Sequence, residues 1–186
     1  RWKDSMLGQR KWYYAKVLRR KATMISLKVA PMFYALSENF GEPEGDYLLQ
    51  HEQGLLSRES KSIYEALLTK GAMHTIDLRR ETRLTSKESD SRFNRALEEL
   101  QADFKILPIG VAEAGAWRYA FIYDTVHRHY PDLIHQARGI SRKQARAKLL
   151  TLYLKSVGAI QERDVIKLFG WKQNEVETAL KEIKGI

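Results

Sequence analysis

One structural unit is written twice in this chain. Ser57–Tyr123 reads as a helix, a short link, two further helices and a β-hairpin, and Ser141–Ile186 begins the same order and stops before a hairpin. Ser57-Arg58 aligns with Ser141-Arg142, Gly71-Ala72 with Gly158-Ala159, and Arg95-Ala96-Leu97-Glu98-Glu99-Leu100 with Thr178-Ala179-Leu180-Lys181-Glu182-Ile183. Ser57 supplies a hydroxyl for the free amides at a helix start, and Gly71 ends the helix. Phe93, Ala96-Leu97 and Leu100 in the first copy, and Val176, Leu180 and Ile183 in the second, recur at helical spacing and give each third helix one inward face.

This order predicts an α+β fold, mainly α with a small β-hairpin, built as tandem winged-helix units of which the second lacks its wing in this chain. The expected divisions are an N-terminal helical segment over 1–56 packing on the first unit, a first winged helix over 57–123, a connector over 124–140, and a second winged helix over 141–186. A third helix that enters a DNA groove is the most common use of such a unit. Arg1 in place of Met, and an end at Gly185-Ile186 where a second wing would begin, predict that the natural protein extends past both ends.

Hydrophobic residues make up 44% of the 186 residues, enough for a packed core. The absence of cysteine excludes disulfides, thiolate zinc sites and thiol catalysis, and fits a reducing cytoplasm, the expected location. No apolar run reaches membrane-spanning length, so no membrane partner is expected. The formal net charge of +9 is clustered: Arg1–Lys21 holds eight Lys/Arg against Asp4, and Arg138–Lys155 holds six with no acid, whereas Glu38–Glu52 holds five acids and no Lys/Arg. Clustered cations suit a polyanion, because each neutralised phosphate releases counterions. Double-stranded DNA is therefore the expected partner, with a protein partner as the alternative.

Along the chain, Ser5–Lys21 reads as a basic helix whose apolar side is marked by Leu7, Trp12 with Tyr14, and Val17-Leu18. The aromatics Trp12-Tyr13-Tyr14 either anchor it to a core or stack bases. Ser26 or Leu27 opens a short helix with Pro31 in an early turn. Asp46 caps another after the Gly41–Gly45 break. Thr75 is expected to cap the second helix of the first unit and Thr85 or Ser86 the third, with strands at Lys105–Val111 and Ala116–Tyr123 around a loop that carries Glu113 and ends at Gly115. Pro131-Asp132 opens a helix in the connector. In the second unit Leu149-Leu150, Leu152-Tyr153 and Val157 are expected inside.

With the apolar stripe of the first reading helix buried, Lys87, Ser91, Asn94 and Arg95 face outward, and Arg92 and Lys105 flank them as phosphate contacts. Asparagine suits adenine, and arginine suits guanine or phosphate. The second unit offers Lys172, Gln173, Asn174, Thr178 and Lys181, and its basic opening helix adds Arg142, Lys143 and Arg146. Acids on both helices (Glu88, Asp90, Glu98; Glu175, Glu177) limit phosphate contact to part of each face, and the alternative for each is an ordinary solvated helix face.

Tyr13-Tyr14, Phe33-Tyr34-Ala35-Leu36, the run Ser91-Arg92-Phe93-Asn94-Arg95-Ala96-Leu97-Glu98-Glu99-Leu100-Gln101 and Tyr119-Ala120-Phe121 together resemble the winged-helix proteins related to AlkZ and YcaQ. That resemblance implies a bacterial DNA-repair family of glycosylases that excise alkylated bases and unhook interstrand crosslinks on a concave scaffold of tandem winged helices. It also implies a Gln-x-Gln or Gln-x-Asp catalytic pair near the N-terminal part of that scaffold. Here the one Gln-x-Asp, Gln101-Ala102-Asp103, sits at the end of the third helix, where a capping Asp is the simpler reading. The chain thus resembles the scaffold without the catalytic pair. A glycosylase whose catalytic segment lies outside this chain is the enzymatic alternative, and a non-enzymatic interaction scaffold is the other.

No cofactor is expected, because the phosphate-binding Gly loop and the GxSxG elbow are both missing from the sequence. His127, His129, His135, Asp124 and Asp132 form the densest set of metal-type side chains, but His127 and His129 would point to different sides of a helix, so no metal site is expected.

Overall fold

A computed structural model describes residues 2–114 and 119–184. The chain opens with α1 (Trp2–Met6) and a 3-10 turn, Leu7–Gln9, then forms β1 (Tyr13–Ala15), a second 3-10 turn at Leu18–Arg20, and β2 (Thr23–Ile25). The long basic helix expected over Ser5–Lys21 does not form. Arg10 closes the first turn in the left-handed conformation (φ 52°), and Tyr13-Tyr14-Ala15 then pairs antiparallel with Thr23–Ile25, burying Tyr13 and Ala15 on alternate positions. Aromatics favour such a pleated, half-buried site over a helix. Tyr13 serves as the anchor, fully buried against Phe104 at 4.5 Å between ring centroids.

After a turn at Ser26, α2 (Ala30–Tyr34) carries Pro31 in its first turn, where no amide donor is needed. Asp46 opens α3 (Asp46–Glu52), but its carboxylate turns back from the helix. Oδ2 accepts the amide N–H groups of Phe40, Gly41 and Glu42 and so fixes the preceding loop, where a helix cap was expected.

The first repeat follows as α4 (Arg58–Lys70), β3 (Met73–His74), α5 (Thr75–Glu81), a 3-10 turn at Lys87–Ser89, α6 (Asp90–Ala102), β4 (Ile106–Ala112) and β5 (Ala120–Thr125). Ser57 Oγ accepts from the Ser60 amide at 3.2 Å, and Gly71 ends α4 at φ 84°. The cap of α5 lies one residue before the expected Thr75: His74 Nδ1 accepts from the Asp77 amide. Neither Thr85 nor Ser86 caps α6, because the 3-10 turn comes between and the Ser86 side chain makes no cap bond to it. The strands assemble antiparallel in the order β3-β5-β4. Gly115, expected to shape the hairpin loop, lies outside the described residues, and the second strand starts at Ala120.

The link to the second repeat holds α7 (Val126–His129) and α8 (Asp132–Ala137). The repeat itself is α9 (Arg142–Val157), α10 (Glu162–Phe169) and α11 (Gln173–Lys184). Ser141 and Gln144 form a reciprocal capping box, and Gly158 ends α9 at φ 80°, matching Ser57 and Gly71 in the first copy. Leu149 and Leu150 are buried as expected. Leu152 and Val157 are exposed, because α9 packs mainly through the helical spacing of Ala145, Leu149 and Leu150. Gly185 and Ile186 lie outside the described residues.

Among the described residues three cores form. One fills the first repeat around Ile63, Leu67, Leu78, Phe93 and Leu100, with Tyr47 and Leu56 added from the α3 region. A second joins Tyr13, Ile25 and Tyr34 to Phe104, Leu107, Val126 and Leu133, so the segment read as a connector is part of a core. The third fills the second repeat around Leu150, Val165, Trp171 and Val176, and Met32, Phe33 and Leu36 of the α2 segment pack into it. No described helix is long and apolar enough to cross a membrane.

Candidate nucleic-acid interface

The stripe Phe93, Ala96, Leu97 and Leu100 pins α6 to α4, which leaves the opposite face to solvent. Ser91, Asn94 and Arg95 are exposed on that face, and Lys87 is exposed on the turn that leads into it. The side chains of Lys87, Asn94 and Arg95 have no ion pair or hydrogen-bond partner among the described residues. Arg92 is held at 3.1 Å by Glu59 of α4. Asp90, at the start of the helix, is taken by Arg79 at 2.7 Å, and that guanidinium also lies 4.1 Å over the Phe93 ring. The Arg79 pair thus neutralises one of the acids that would repel a polyanion from this end of the helix.

Lys105 does not belong to this surface. Its side chain is 2% exposed, and its ammonium pairs with Asp103 at 3.1 Å, donates to Asn39 Oδ1 and faces the Tyr64 ring. A phosphate cannot reach it, because β4 begins inside the core. Lys172, just before α11, and Gln173, Asn174, Thr178 and Lys181 on it are all exposed. Gln173 is bonded to Glu162 and Glu177, whereas the ammonium groups of Lys172 and Lys181 have no partner among the described residues; the Lys172 backbone amide donates to Glu175 Oε2. The basic opening of α9 is engaged internally. Arg142 bridges to Glu38 and the Ser37 carbonyl, Lys143 to Glu182, and Arg146 to Glu175. Such exposed pairs hold weakly, so Arg142 and Lys143 stay exchangeable, while Arg146 is the more enclosed.

Gln101 and Asp103 have structural partners. Gln101 is buried; its amide donates to the Leu97 carbonyl and accepts from the Lys16 amide, which fastens the N-terminal segment to α6. Asp103 accepts from the Glu38 amide at 3.0 Å and pairs with Lys105. Burial holds its carboxyl above the ordinary value, with Lys105 only partly offsetting that rise. The folded state therefore binds this proton more tightly than the unfolded state does. The resulting stabilisation is present below the ordinary carboxylate value and is lost as pH rises through the folded-state value. Asp103→Asn, which keeps the shape, is expected to flatten this part of the profile: between pH 4 and pH 7 the variant loses less stability than the native chain in denaturant unfolding. An equal or larger loss would contradict the assigned burial.

A cleft of about 480 Å³ separates the two repeats. Phe33, Phe104, Phe169 and Trp171 line it, with Arg20, Arg142 and Arg146 among its basic groups and Glu38, Glu99, Asp103 and Glu175 among its acids. The turn Leu18–Arg20 lies between α6 and α10 and bridges the repeats. Arg20 has no partner among the described residues and was not singled out from the sequence. Its charge belongs to the Arg1–Lys21 cluster, but its place beside the cleft depends on a left-handed turn (φ 53°) that no local pattern announces. No three His or carboxylate side chains among the described residues converge as a metal site.

A family model described as AlkZ related matches residues 1–170, which cover the first repeat and the second as far as α10, leaving out α11. The chain belongs to the AlkZ-related family. Membership in the AlkZ-related family ties it to a DNA-repair-associated, glycosylase-like group. Searches of curated proteins and of solved structures find no match. Within this AlkZ-related chain the charges that line the cleft are largely paired, Arg142 with Glu38, Arg146 with Glu175 and Asp103 with Lys105.

Proposed function

We propose that this chain binds double-stranded DNA as a tandem winged-helix scaffold in DNA repair. The exposed, unpartnered set Lys87, Asn94 and Arg95 carries the reading. Asn94 and Arg95 lie on the third helix, and Lys87 on the turn that leads into it, in a unit ordered helix, strand, helix, helix, hairpin, whose strands pair as β3-β5-β4. That order suits a helix presented to a major groove, with asparagine and arginine able to reach base edges and the lysine a phosphate. Family membership supports a repair context. The second repeat supports a wider footprint, with Lys172 before α11 and Asn174 and Lys181 on it as its matching contacts. In this reading 57–123 and 141–186 are the two binding units, residues 1–56 and 124–140 set their spacing, and Gln101 and Asp103 are scaffold residues without a catalytic role.

Binding to a duplex should weaken steeply with salt, because log K falls by about 0.9 per neutralised phosphate for each unit of log salt. Titration of a labelled duplex across a salt series measures this slope. A slope near zero, or no binding at low salt, would overturn the proposal in favour of a protein-interaction scaffold.

A further inference from the structure

A second cavity, of about 230 Å³, lies away from the cleft, where β1, the α2 segment, α7 and α8 meet. Leu27, Ala30 and Leu133 give it apolar walls. Two residues that line it carry buried polar atoms without a partner among the described residues: the Tyr13 hydroxyl, on a residue with no exposed surface, and His129 Nε2, on a residue 7% exposed. Buried polar groups are nearly always hydrogen-bonded, and each one left alone costs about 1–3 kcal/mol. The neighbouring Tyr130 hydroxyl does not relieve them, since it donates to the Trp12 carbonyl at 2.8 Å.

Arg10 lines the same cavity. It is exposed, has no ion pair among the described residues and is held at φ 52°, a conformation rare for a non-glycine residue. Asp132 also lines the cavity and places one negative charge near that of Arg10, which disfavours a dianion. The space is several times the ~30 Å³ share of one water in the liquid, so it has room for a small organic molecule.

We infer that this cavity binds a compact organic monoanion, a small carboxylate whose apolar body rests on Leu27, Ala30 and Leu133 and whose charged end pairs with Arg10 and accepts from Tyr13 and His129. This site is independent of the DNA-binding faces. An arginine paired with a carboxylate supplies a charge-assisted bond, and the two buried groups become satisfied on occupancy.

Acetate, butyrate, benzoate and sulfate, added to the whole chain, test this by NMR of the His129 ring together with thermal unfolding. At least one of the three carboxylates should shift the His129 resonance saturably and raise the melting temperature. Arg10→Ala should weaken that binding about 10-fold, in line with loss of a charge-assisted pair. Tyr13→Phe keeps the ring stack on Phe104 and should also weaken it several-fold. The inference is overturned if none of the carboxylates moves the His129 resonance at tens of millimolar, if Arg10→Ala binds equally well, or if sulfate produces the same shift.

Discussion

A chain carrying Lys87→Ala, Asn94→Ala and Arg95→Ala should bind duplex DNA roughly 100-fold more weakly than the native chain at the same salt. Each contact is worth about 1 kcal/mol or more, and about 1.4 kcal/mol is a tenfold change in affinity. The three side chains are exposed and hold nothing else in the fold, so the variant should unfold at the same denaturant midpoint as the native chain. Loss of the lysine should also lower the salt slope by about one, as for a phosphate contact. Arg92→Ala should cost less, because Glu59 already occupies that guanidinium in the free protein. Native affinity in the triple variant, with an unchanged unfolding midpoint, would remove α6 as the reading helix. DNA binding itself would then be judged by the salt series alone.

The largest stability effect is expected at Phe104. Phe104→Ala should cost about 3–5 kcal/mol, the usual range for deleting a buried aromatic ring. The ring is 3% exposed, stacks on Tyr13 at 4.5 Å, meets Tyr34 edge-on and lies 6.4 Å from Phe33. Its backbone stands at φ 55°, which costs a side chain of L configuration about 1–2 kcal/mol. The packing of the ring outweighs that strain. Phe104→Gly should therefore be no less stable than Phe104→Ala, the reverse of the usual order in regular structure, because glycine adopts the left-handed region freely. Chemical denaturation of both variants measures the order, and a glycine variant clearly less stable than the alanine one would contradict the account.

Much of the first repeat could be read locally. Ser57 and Gly71 mark both ends of α4, the spacing of Phe93, Ala96, Leu97 and Leu100 marks the buried side of α6, and the β-rich runs after it mark the hairpin. Those signals lie within a few residues of what they specify. The N-terminal segment failed the same treatment because its structure depends on distant partners. Tyr13–Ala15 becomes a strand by pairing with Thr23–Ile25, and Lys16 is tied to Gln101 and Glu98 far along the chain. Lys105 misled for a related reason: a lysine beside a helix end looks solvated, and its burial requires Asn39 from another segment. Among the candidate contacts the exposed residues of α6 followed from helical periodicity. The pairing of Arg142, Lys143 and Arg146 depended on Glu38, Glu182 and Glu175, which periodicity cannot place.

Tyr13, Phe104, Phe33, Phe169 and Trp171 stand ring beside ring from the N-terminal strand pair into the second repeat, with centroids between 4.4 and 6.4 Å apart. A row of large side chains packed this closely acts as a brace, because interiors at such density resist shear and cannot deform by small degrees. On the proposed reading, a duplex touching both repeats would meet a frame that does not yield. The elastic cost of conforming would then fall on the nucleic acid, and flexible base steps would be favoured over stiff ones at positions the protein never contacts.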